Sequence, residues 1–489
     1  MSQKQQAFIS RRSFLGTAAT AAAAFSIIPS HAVAGLGHMA PSDKLNIAGI
    51  GIGGKGKVNL RNMVGQNMVA LCDVDWDYAE PVFQAYPDAK KYKDYREMLE
   101  KQKDIDAVVI ATPDHTHAVQ AMMAMQEGKH VYCQKPLTHT IWEARQLTEA
   151  AKKYNVATQM GNEGHSNDEV RIVTELIQSG VIGEVYEVHA STNRPIWPQG
   201  LHRPGEEHVV PEYLDWDLFI GPAVFRPYNE AYHPWSWRAW WDFGTGALGD
   251  MGCHVLDVPF FALNLKYPVR VQSSSTLVNT ESAPQASTVE FIFPAREKTG
   301  NVAMPELKLI WYDGGITPHR FPDLPKNLAL DQINIYVGTK GKIVSSNYGA
   351  RYQVIPGVDK RPAETLARVV NDPLGGGRHE MDWVRACKEN PGTRKEASSN
   401  FSYAGPLTEM VLMGNLAIRL QDLKRELEWD GNNMRFTNIN PNEKINLIRS
   451  HEYQKINKRP QFKTDRQEVN ASQFAAEMVK HTYRDGWGW

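Results

Sequence analysis

The first third of the chain alternates short apolar runs with segments of helical periodicity. The apolar runs are predicted strands at residues 44–51, 68–72, 106–111 and 130–133. The periodic segments are predicted helices at residues 93–102, 117–127 and 140–154. Strands that alternate with helices in this way predict an α/β domain with a doubly wound parallel sheet.

After residue 160 the alternation ends and strand patterns are separated by long irregular stretches. Predicted strands lie at residues 183–192, 269–278, 287–293, 306–312 and 332–337. Stretches rich in Pro, Trp and Gly at 194–245 and 313–328 predict long loops, and helices are predicted at 380–388 and 404–424. The polar residues 431–489 predict a C-terminal arm that wraps a neighbouring surface.

Composition narrows the choice of partners. The chain has 489 residues, a net charge of −1 and 42% apolar residues, which is ordinary for a soluble globular protein. This balance gives no reason to expect nucleic acid or an anionic membrane as a partner. The four cysteines show no CxxC spacing, so we expect buried free thiols rather than a disulfide framework or a zinc site.

The first 34 residues have the pattern of an export signal. The adjacent Arg11 and Arg12 are followed by a weakly apolar run over residues 16–28 and by small residues that end at Ala34. This pattern predicts a cleaved twin-arginine signal peptide at residues 1–34 and a periplasmic mature protein, the alternative being a short N-terminal helix. The apolar run is too short to span a membrane.

A glycine-rich turn follows the first predicted strand. Residues 51–56 read Gly-Ile-Gly-Gly-Lys-Gly, a G-x-G-x-x-G between a strand and a helix expected to begin at Lys57. Its glycines, Gly51, Gly53, Gly54 and Gly56, let the backbone approach a pyrophosphate at the helix N-terminus. Asp73 follows the second strand, 20 residues after Gly53, where a carboxylate is expected to meet the adenosine ribose. Asp73 would repel a 2′-phosphate, which favours NAD over NADP; the alternative is that Asp73 caps a helix.

Ligands of doubly wound sheets bind beyond the carboxyl ends of the strands. Gly51, Asp73, Thr112 and Lys135 all follow predicted strands, so we expect them at one edge of the sheet.

A segment near residue 250 carries a second set of polar residues. If a helix begins near Asp250, then Asp250, His254 and Asp257 lie at i, i+4 and i+7 on one face. Three interpretations are open: a solvated face or cap, a metal site, or a catalytic face. Three ligands from one helix leave a metal without a clear fourth. A histidine can reversibly accept the proton of an alcohol, and Asp250 is expected to orient its ring and hold its pKa at or above the ordinary value.

These motifs together resemble the glucose–fructose oxidoreductase and inositol dehydrogenase family (Gfo/Idh/MocA) over about residues 44–419. The likeness is carried by the glycine turn, Thr112-Pro113 with His117, Lys135-Pro136 and residues 250–257. The chain departs from the usual Glu-Lys-Pro in having Gln134 before Lys135.

The resemblance implies an NAD-dependent enzyme in which Lys135, Asp250 and His254 are catalytic and also touch substrate, together with Asp257. It implies cofactor contacts at or beside Thr112, Pro113, His117, Gln134 and Lys135, and we place Asn162 at the same cleft. Because a histidine at the position of His117 lies beside the cofactor in the family, the pair His115 and His117 is interpreted as cofactor contact or capping, and no metal is expected.

The resemblance also implies the domain organisation. A Rossmann domain at 44–160 is followed by an α+β domain at 161–430 with an open, mostly antiparallel sheet, and by the arm at 431–489. We expect a homo-oligomer, either a dimer or a tetramer.

The resulting hypothesis is an exported oxidoreductase that keeps its NAD and acts on a secondary hydroxyl of a sugar or glycoside. One alternative is a redox-neutral glycoside hydrolase that works through a keto-sugar, and a third interpretation is a catalytically silent sugar-binding protein.

Overall fold

Six parallel strands form the sheet of the first domain, in the order β3-β2-β1-β4-β5-β6. The computed structural model describes residues 43–357 and 362–489. The strands are β1 (Asn46–Ile50), β2 (Asn67–Cys72), β3 (Lys90–Tyr92), β4 (Ala107–Ile110), β5 (His130–Cys133) and β6 (Thr158–Met160). This order is that of a Rossmann domain, which confirms the predicted doubly wound sheet.

Helices connect these strands and cover the sheet. They are α1 (Lys57–Asn62), α2 (Trp76–Ala85), α3 (Tyr95–Lys101), α4 (His117–Gln126) and α5 (Ile141–Tyr154). All four residues of β4 are buried, as expected for a central strand with helices on both faces. The prediction found α3, α4 and α5 within a few residues of their observed ends and did not include α2 or β3.

The second domain is built on a nine-stranded sheet in the order β15-β14-β13-β7-β12-β9-β8-β16-β17. Its strands are β7 (Val185–Ser191), β8 (Arg270–Ser275), β9 (Ser287–Phe293), β12 (Leu307–Tyr312), β13 (Ile333–Gly338), β14 (Lys342–Ser346), β15 (Tyr352–Ile355), β16 (Leu427–Asp430) and β17 (Arg435–Phe436). A separate hairpin comprises β10 (Arg296–Thr299) and β11 (Val302–Met304). Strands β7 and β12 run parallel, and the other pairs in the sheet are antiparallel. The mostly antiparallel sheet is therefore confirmed.

Helices of the second domain join the two sheets. They are α6 (Asp168–Ser179), α7 (Trp216–Ile220), α8 (Gly246–Val255), α9 (Asp257–Ala262), α10 (Arg378–Lys388) and α11 (Phe401–Arg419). Helix α11 is buried over almost its whole length and packs against α5, α8 and β8. It therefore joins the hydrophobic cores of both domains.

The C-terminal residues form a hairpin, a helix and a final segment that contacts an earlier part of the same chain. A long hairpin of β18 (Lys444–Ile456) and β19 (Arg459–Asn470) leads into α12 (Ala471–Val479). Beyond it, the Tyr483 hydroxyl donates to a Glu143 carboxylate oxygen at 2.6 Å, and Trp489 stacks on Trp142. The tail, which the sequence predicted as an arm on a neighbouring surface, thus contacts the first domain of the same chain.

All four cysteines are buried and unpaired, as predicted. Across residues 43–357 and 362–489, none of the helices combines the length and apolar character that crossing a membrane requires. The predicted signal peptide at residues 1–34 lies outside the described residues.

Candidate active site

The glycine turn after β1 leaves no room for a Cβ at three of its four glycines. Gly51 has a φ of 74°, a region that glycine adopts without strain, and a Cβ there would lie 2.7 Å from the backbone nitrogen of Thr112. A Cβ at Gly53 would lie 2.4 Å from the Tyr78 ring, and one at Gly56 would lie 2.3 Å from the Gly51 carbonyl oxygen. The backbone itself therefore forms this part of the wall before α1 begins.

Asp73 holds the glycine turn in place. Its Oδ2 accepts hydrogen bonds from the N–H of Ile52 at 2.8 Å and of Gly53 at 3.1 Å. Burial raises the pKa of the Asp73 carboxyl to about 6, although these hydrogen bonds oppose the shift. The cap of α2 is Asp75, whose carboxylate accepts from the N–H of Tyr78. The alternative interpretation of Asp73 as a helix cap is therefore wrong.

A cavity of about 550 Å³ lies beyond the carboxyl ends of the first five strands. Its wall includes residues that follow each of these strands, namely Gly51, Asp73, Lys93, Thr112 and Gln134. It also includes Gly53, Gly54, Pro113 and Lys135. Bare glycine backbone before a helix and a buried carboxylate after β2 are the features that hold the pyrophosphate and ribose of a dinucleotide. The residues present therefore fit NAD.

Lys135 and Asp250 form an ion pair across the two domains. The Lys135 Nζ lies 2.9 Å from the Asp250 Oδ1 and donates to the Asp250 backbone oxygen at 2.8 Å. Arg238 contributes its Nε at 3.3 Å from the same Oδ1. Burial opposes both charges, but Lys135 and Arg238 hold the pKa of Asp250 below its usual range, and Asp250 raises the pKa of Lys135. Asp250 therefore positions Lys135, whereas the sequence had assigned it to the histidine ring.

His254 lies at the same cavity, one helical turn after Asp250 on α8. Its ring is 6% exposed and packs against Tyr348 at 4.6 Å between centroids, and its Nδ1 has no partner among the described residues. Burial and the charge of Lys135 lower the pKa of His254 to about 4. The expectation of a pKa at or above the ordinary value is wrong, because burial and the charge of Lys135 lower the pKa of His254 by more than the charges of Glu163 and Asp250 raise it.

Asp257 does not share the helix of Asp250 and His254. Helix α8 starts at Gly246, four residues earlier than predicted, and ends at Val255, and Asp257 opens α9. Pro259 has no N–H to donate to the Val255 carbonyl, which instead accepts from the Asn334 side chain at 2.9 Å. The predicted single helix face with Asp250, His254 and Asp257 is therefore wrong, because these residues lie on two helices.

The carboxylate of Asp257 is engaged inside the protein. It is 2% exposed, accepts from the Asn162 amide at 3.1 Å and the Tyr403 hydroxyl at 2.7 Å, and pairs with His165 at 3.0 Å. Asn162 also accepts from Ser399. Neither Asp257 nor Asn162 is among the residues that line the cavity, so the structure places both behind its wall.

His117 also lies behind the wall, where it ties two loops together. Its Nδ1 is 2.8 Å from the Pro136 oxygen and its Nε2 is 2.9 Å from the Thr112 oxygen. The ring is 1% exposed, and burial lowers its pKa to about 4. His117 thus joins the loops that carry Thr112 and Lys135, and it positions them rather than lining the cavity.

Gln134 takes part in a buried chain of amide contacts. Its Nε2 donates to the Asn59 Oδ1 at 2.9 Å, and the Asn59 Nδ2 donates to a Glu380 carboxylate oxygen at 2.8 Å. Asn62 donates to the same oxygen at 3.1 Å. The carboxylate that the family usually has next to the lysine is thus absent at position 134. The carboxylate of Glu380 lies nearby, connected to Gln134 through the side-chain amide of Asn59.

The ionisable residues of the cavity that were not assigned from the sequence include Lys55, Glu163 and Asp114. Lys55, within the glycine turn, pairs with Glu163 at 3.0 Å, and Glu163 acts electrostatically on His254. Asp114 accepts from the Thr245 hydroxyl at 2.6 Å, and burial raises its pKa to about 7. Lys55 and Asp114 sit inside recognised motifs and Glu163 follows Asn162 directly, so position next to a motif was the available signal.

Aromatic residues of the long loop at 194–245 also reach the cavity. Trp197, Trp235 and Trp237 line it, and the Arg238 guanidinium lies 4.1 Å from the Trp235 ring centroid and 4.3 Å from that of Trp237. The predicted loop thus supplies a polar and aromatic part of the cavity wall.

Among the described residues, no group of three His, Cys, Asp or Glu side chains is arranged to hold a metal ion. The His115 ring contacts backbone oxygens of Phe243 and Phe219 at 3.2 and 3.0 Å. The H-x-H pair is therefore engaged with backbone carbonyls.

A Rossmann sheet with a dinucleotide cavity, to which helix α8 and a long loop of a second domain contribute charged residues, defines a two-domain oxidoreductase architecture. Two family models match the chain and together cover about half of it. Residues 45–162 match the oxidoreductase family, NAD-binding Rossmann fold, and residues 166–293 match the C-terminal alpha/beta domain of the same oxidoreductase family. The chain belongs to the Gfo/Idh/MocA family.

Curated relatives are similar over part of their length. A levoglucosan dehydrogenase of Pseudarthrobacter phenanthrenivorans is 29% identical over 167 residues, which cover 34% of this chain and 34% of that protein. A glycosyl hydrolase family 109 protein of Shewanella putrefaciens is 29% identical over 188 residues, which cover 36% and 41%. The match thus spans less than half of either relative.

Solved structures share the fold. The WlbA dehydrogenase from Bordetella pertussis, in complex with NADH and UDP-GlcNAcA, superposes with a TM-score of 0.54 at 17% identity, and the match covers 79% of this chain and 99% of that one. At this identity the likeness establishes the fold alone.

Proposed function

We propose that this protein is an NAD-dependent oxidoreductase that acts on a secondary hydroxyl of a sugar or glycoside and keeps its cofactor between turnovers. The observation that carries this proposal is the Lys135–Asp250 ion pair beside His254, in the same cavity as the glycine turn. The family membership and the named sugar dehydrogenase among the relatives support it.

The residues of the cavity suit proton handling at a substrate oxygen. Lys135, kept protonated by Asp250, donates a hydrogen bond to the hydroxyl and stabilises negative charge that develops on it. His254, neutral at ordinary pH because of its low pKa, accepts the hydroxyl proton as the carbonyl forms. Bound NAD supplies the acceptor for the hydride that leaves carbon. The tryptophans at 235 and 237 offer aromatic faces for a sugar ring.

The choice of NAD rests on Asp73. Its carboxylate lines the cavity where the ribose of a dinucleotide is expected, and it would repel a 2′-phosphate. Asp73 is also bonded to the glycine turn, so a change at this position affects both the cofactor and the loop.

Export gives a reason to retain the cofactor. The twin-arginine pattern at residues 1–34 supports a periplasmic location, where free NAD is scarce and an enzyme that released NADH would stop. We propose that NAD is loaded before export and that the NADH formed is reoxidised in place by a second substrate or carrier. We also propose that the protein is a homo-oligomer.

The second candidate is a redox-neutral glycoside hydrolase. Similarity to a glycosyl hydrolase family 109 protein favours it. Oxidation of a ring hydroxyl would acidify the neighbouring C–H and permit elimination of the glycosidic group. Water would then add across the new double bond and the hydride would return, so no external acceptor would be needed.

These functions are distinguished by incubating the mature protein, purified from the periplasm, with a panel of sugars and glycosides. For the oxidoreductase we expect the substrate to reduce the bound nicotinamide. A keto-sugar should accumulate over many turnovers only when an electron acceptor is added. Release of the aglycone without acceptor would establish the hydrolase. Absence of both reactions across the panel, with the Lys135→Met variant indistinguishable from wild type, would refute both.

A further inference from the structure

The C-terminal segment, residues 483–489, returns to the cavity after α12. The Arg484 guanidinium pairs with the Asp217 carboxylate at 2.5 Å and donates to the Gly221 oxygen at 3.0 Å. The Arg484 N–H donates to the Pro222 oxygen at 3.0 Å. With the Tyr483 and Trp489 contacts to α5, the segment is anchored to both domains.

Trp487 is the residue of this segment that reaches the cavity. It is 8% exposed and is part of the cavity wall, together with Asp73, Asp94 and Leu218. Two guanidinium groups fix its ring, that of Arg96 at 4.2 Å and that of Arg484 at 5.4 Å from the centroid. A tryptophan close to the end of the chain is thus buried against a binding site.

The position of Trp487 is at the adenosine end of the cavity. Asp73 follows β2 and Asp94 follows β3, the strands beyond which the adenosine half of a dinucleotide lies in this fold. Arg96 connects the two features, because it pairs with Asp94 at 2.6 Å and covers Trp487. Asp94, Arg96, Trp487, Arg484 and Asp217 therefore form a continuous row across this end.

We infer that residues 483–489 form a clamp that covers the adenosine end of bound NAD and slows its release. The inference rests on the proposed NAD-dependent function. A cofactor that leaves by this end must displace Trp487 from its two arginines and open the Arg484–Asp217 contact. Because residues 483–489 belong to neither sheet and Asp217 is exposed, the segment can open without unfolding either sheet.

The test is the rate at which NADH leaves the full-length protein, followed by nicotinamide fluorescence after addition of excess NAD. We compare wild type with Trp487→Ala, Arg484→Ala and Asp485→Ala. Trp487→Ala should speed release by about tenfold or more, which corresponds to about 1.4 kcal/mol in the barrier, and Arg484→Ala should change it in the same direction. Asp485→Ala, at an exposed residue of the same turn, should leave the rate unchanged.

The content of NAD in each purified protein and the melting temperature of each cofactor-free protein complete the experiment. A faster release in Trp487→Ala with an unchanged cofactor-free melting temperature supports the clamp. If wild type holds NADH and both Trp487→Ala and Arg484→Ala release it at the wild-type rate, the clamp is refuted and the oxidoreductase stands. If wild type holds no NADH, the proposed function and the clamp fail together.

Discussion

Asp250 holds the ammonium of Lys135 with two of its atoms, the side-chain Oδ1 at 2.9 Å and the backbone oxygen at 2.8 Å. Lys135 follows β5 of the first domain and Asp250 lies on α8 of the second. The contact therefore fixes both the charge of the lysine and its position between the two domains.

The variant Asp250→Asn removes the charge and leaves the backbone contact. A buried ammonium without its counter-ion loses its proton at lower pH, so we expect kcat to fall by about 10²-fold at neutral pH and to fall further as pH rises. In wild type, Asp250 raises the pKa of Lys135, so the fall of kcat with rising pH should be absent up to about pH 9. Identical alkaline profiles for the two proteins would contradict this role of Asp250.

His254 should act as proton acceptor over a wide pH range. Its pKa of about 4 means that the neutral, accepting form is lost only as pH falls through about 4. Turnover limited by this group should therefore be constant from about pH 6 to 8, rather than rise through the ordinary histidine pKa of about 6.5. We expect His254→Ala to lower kcat by about 10²–10⁴-fold with NAD content unchanged. His319→Ala, at an exposed histidine, serves as the control. If the wild-type rate rose with pH through about 6.5 and His254→Ala abolished this rise, the pKa of His254 would not be lowered.

The glycine turn can be tested with a matched pair of alanine variants. A Cβ at Gly51 would lie 2.7 Å from the Thr112 nitrogen at a φ of 74°, so Gly51→Ala should weaken NADH binding by about tenfold or more, since left-handed backbone alone costs about 1–2 kcal/mol. At Gly205 a Cβ would meet no heavy atom within 4 Å, and Gly205→Ala should bind NADH as wild type does. Equal affinities in a fluorescence titration would contradict the role of the turn.

Asp73 should decide between NAD and NADP. Asp73→Ser removes the charge that repels a 2′-phosphate, so the ratio of NAD to NADP affinity should fall. The same change replaces the carboxylate that accepts from two loop N–H groups with a shorter, neutral hydroxyl, and the weaker contacts should lower the affinity for NAD as well, by about 1–3 kcal/mol. Affinities for both cofactors measure the two effects. A lower NAD affinity with an unchanged ratio would show that Asp73 acts only on the loop.

The parts of the fold that could be predicted are those in which local pattern and burial agree. Strands β4 and β5 are short apolar runs in the centre of a parallel sheet, so their sequences reveal them. The hairpin of β18 and β19 has both faces largely exposed, so no alternation of apolar and polar residues marks it.

Site residues that directly follow a strand could be predicted from the sequence. The partners of their side chains were harder to predict, because tertiary contacts determine them. Lys135, Asp250 and His254 do line one cavity. The partner of Asp250 could not be read from the sequence, because spacing along a helix favoured His254 and only the fold brings Lys135 within reach. The break before Asp257 did have a local signal in Pro259.

Gln134 is a position at which the chain departs from its family. Gln134 donates to Asn59, which in turn donates to Glu380, and the three residues are 5%, 0% and 3% exposed. In Gln134→Glu, position 134 can only accept, so Asn59 would have to turn its amide toward residue 134 and away from Glu380. Two buried carboxylates would then compete for the Asn59 amide, and Glu380 would keep only the hydrogen bond from Asn62, at a cost of about 1–3 kcal/mol for the hydrogen bond lost.

We therefore expect Gln134→Glu to lower the melting temperature, and Gln134→Glu with Glu380→Gln to restore much of it. In the double variant the turned Asn59 donates to the introduced carboxylate at position 134 and accepts from the introduced amide at position 380, which re-forms the chain of contacts in the opposite direction. Thermal unfolding of the two single variants and the double variant gives the coupling between positions 134 and 380. Additive effects would show that Glu380 is not the reason why this chain has glutamine before its lysine.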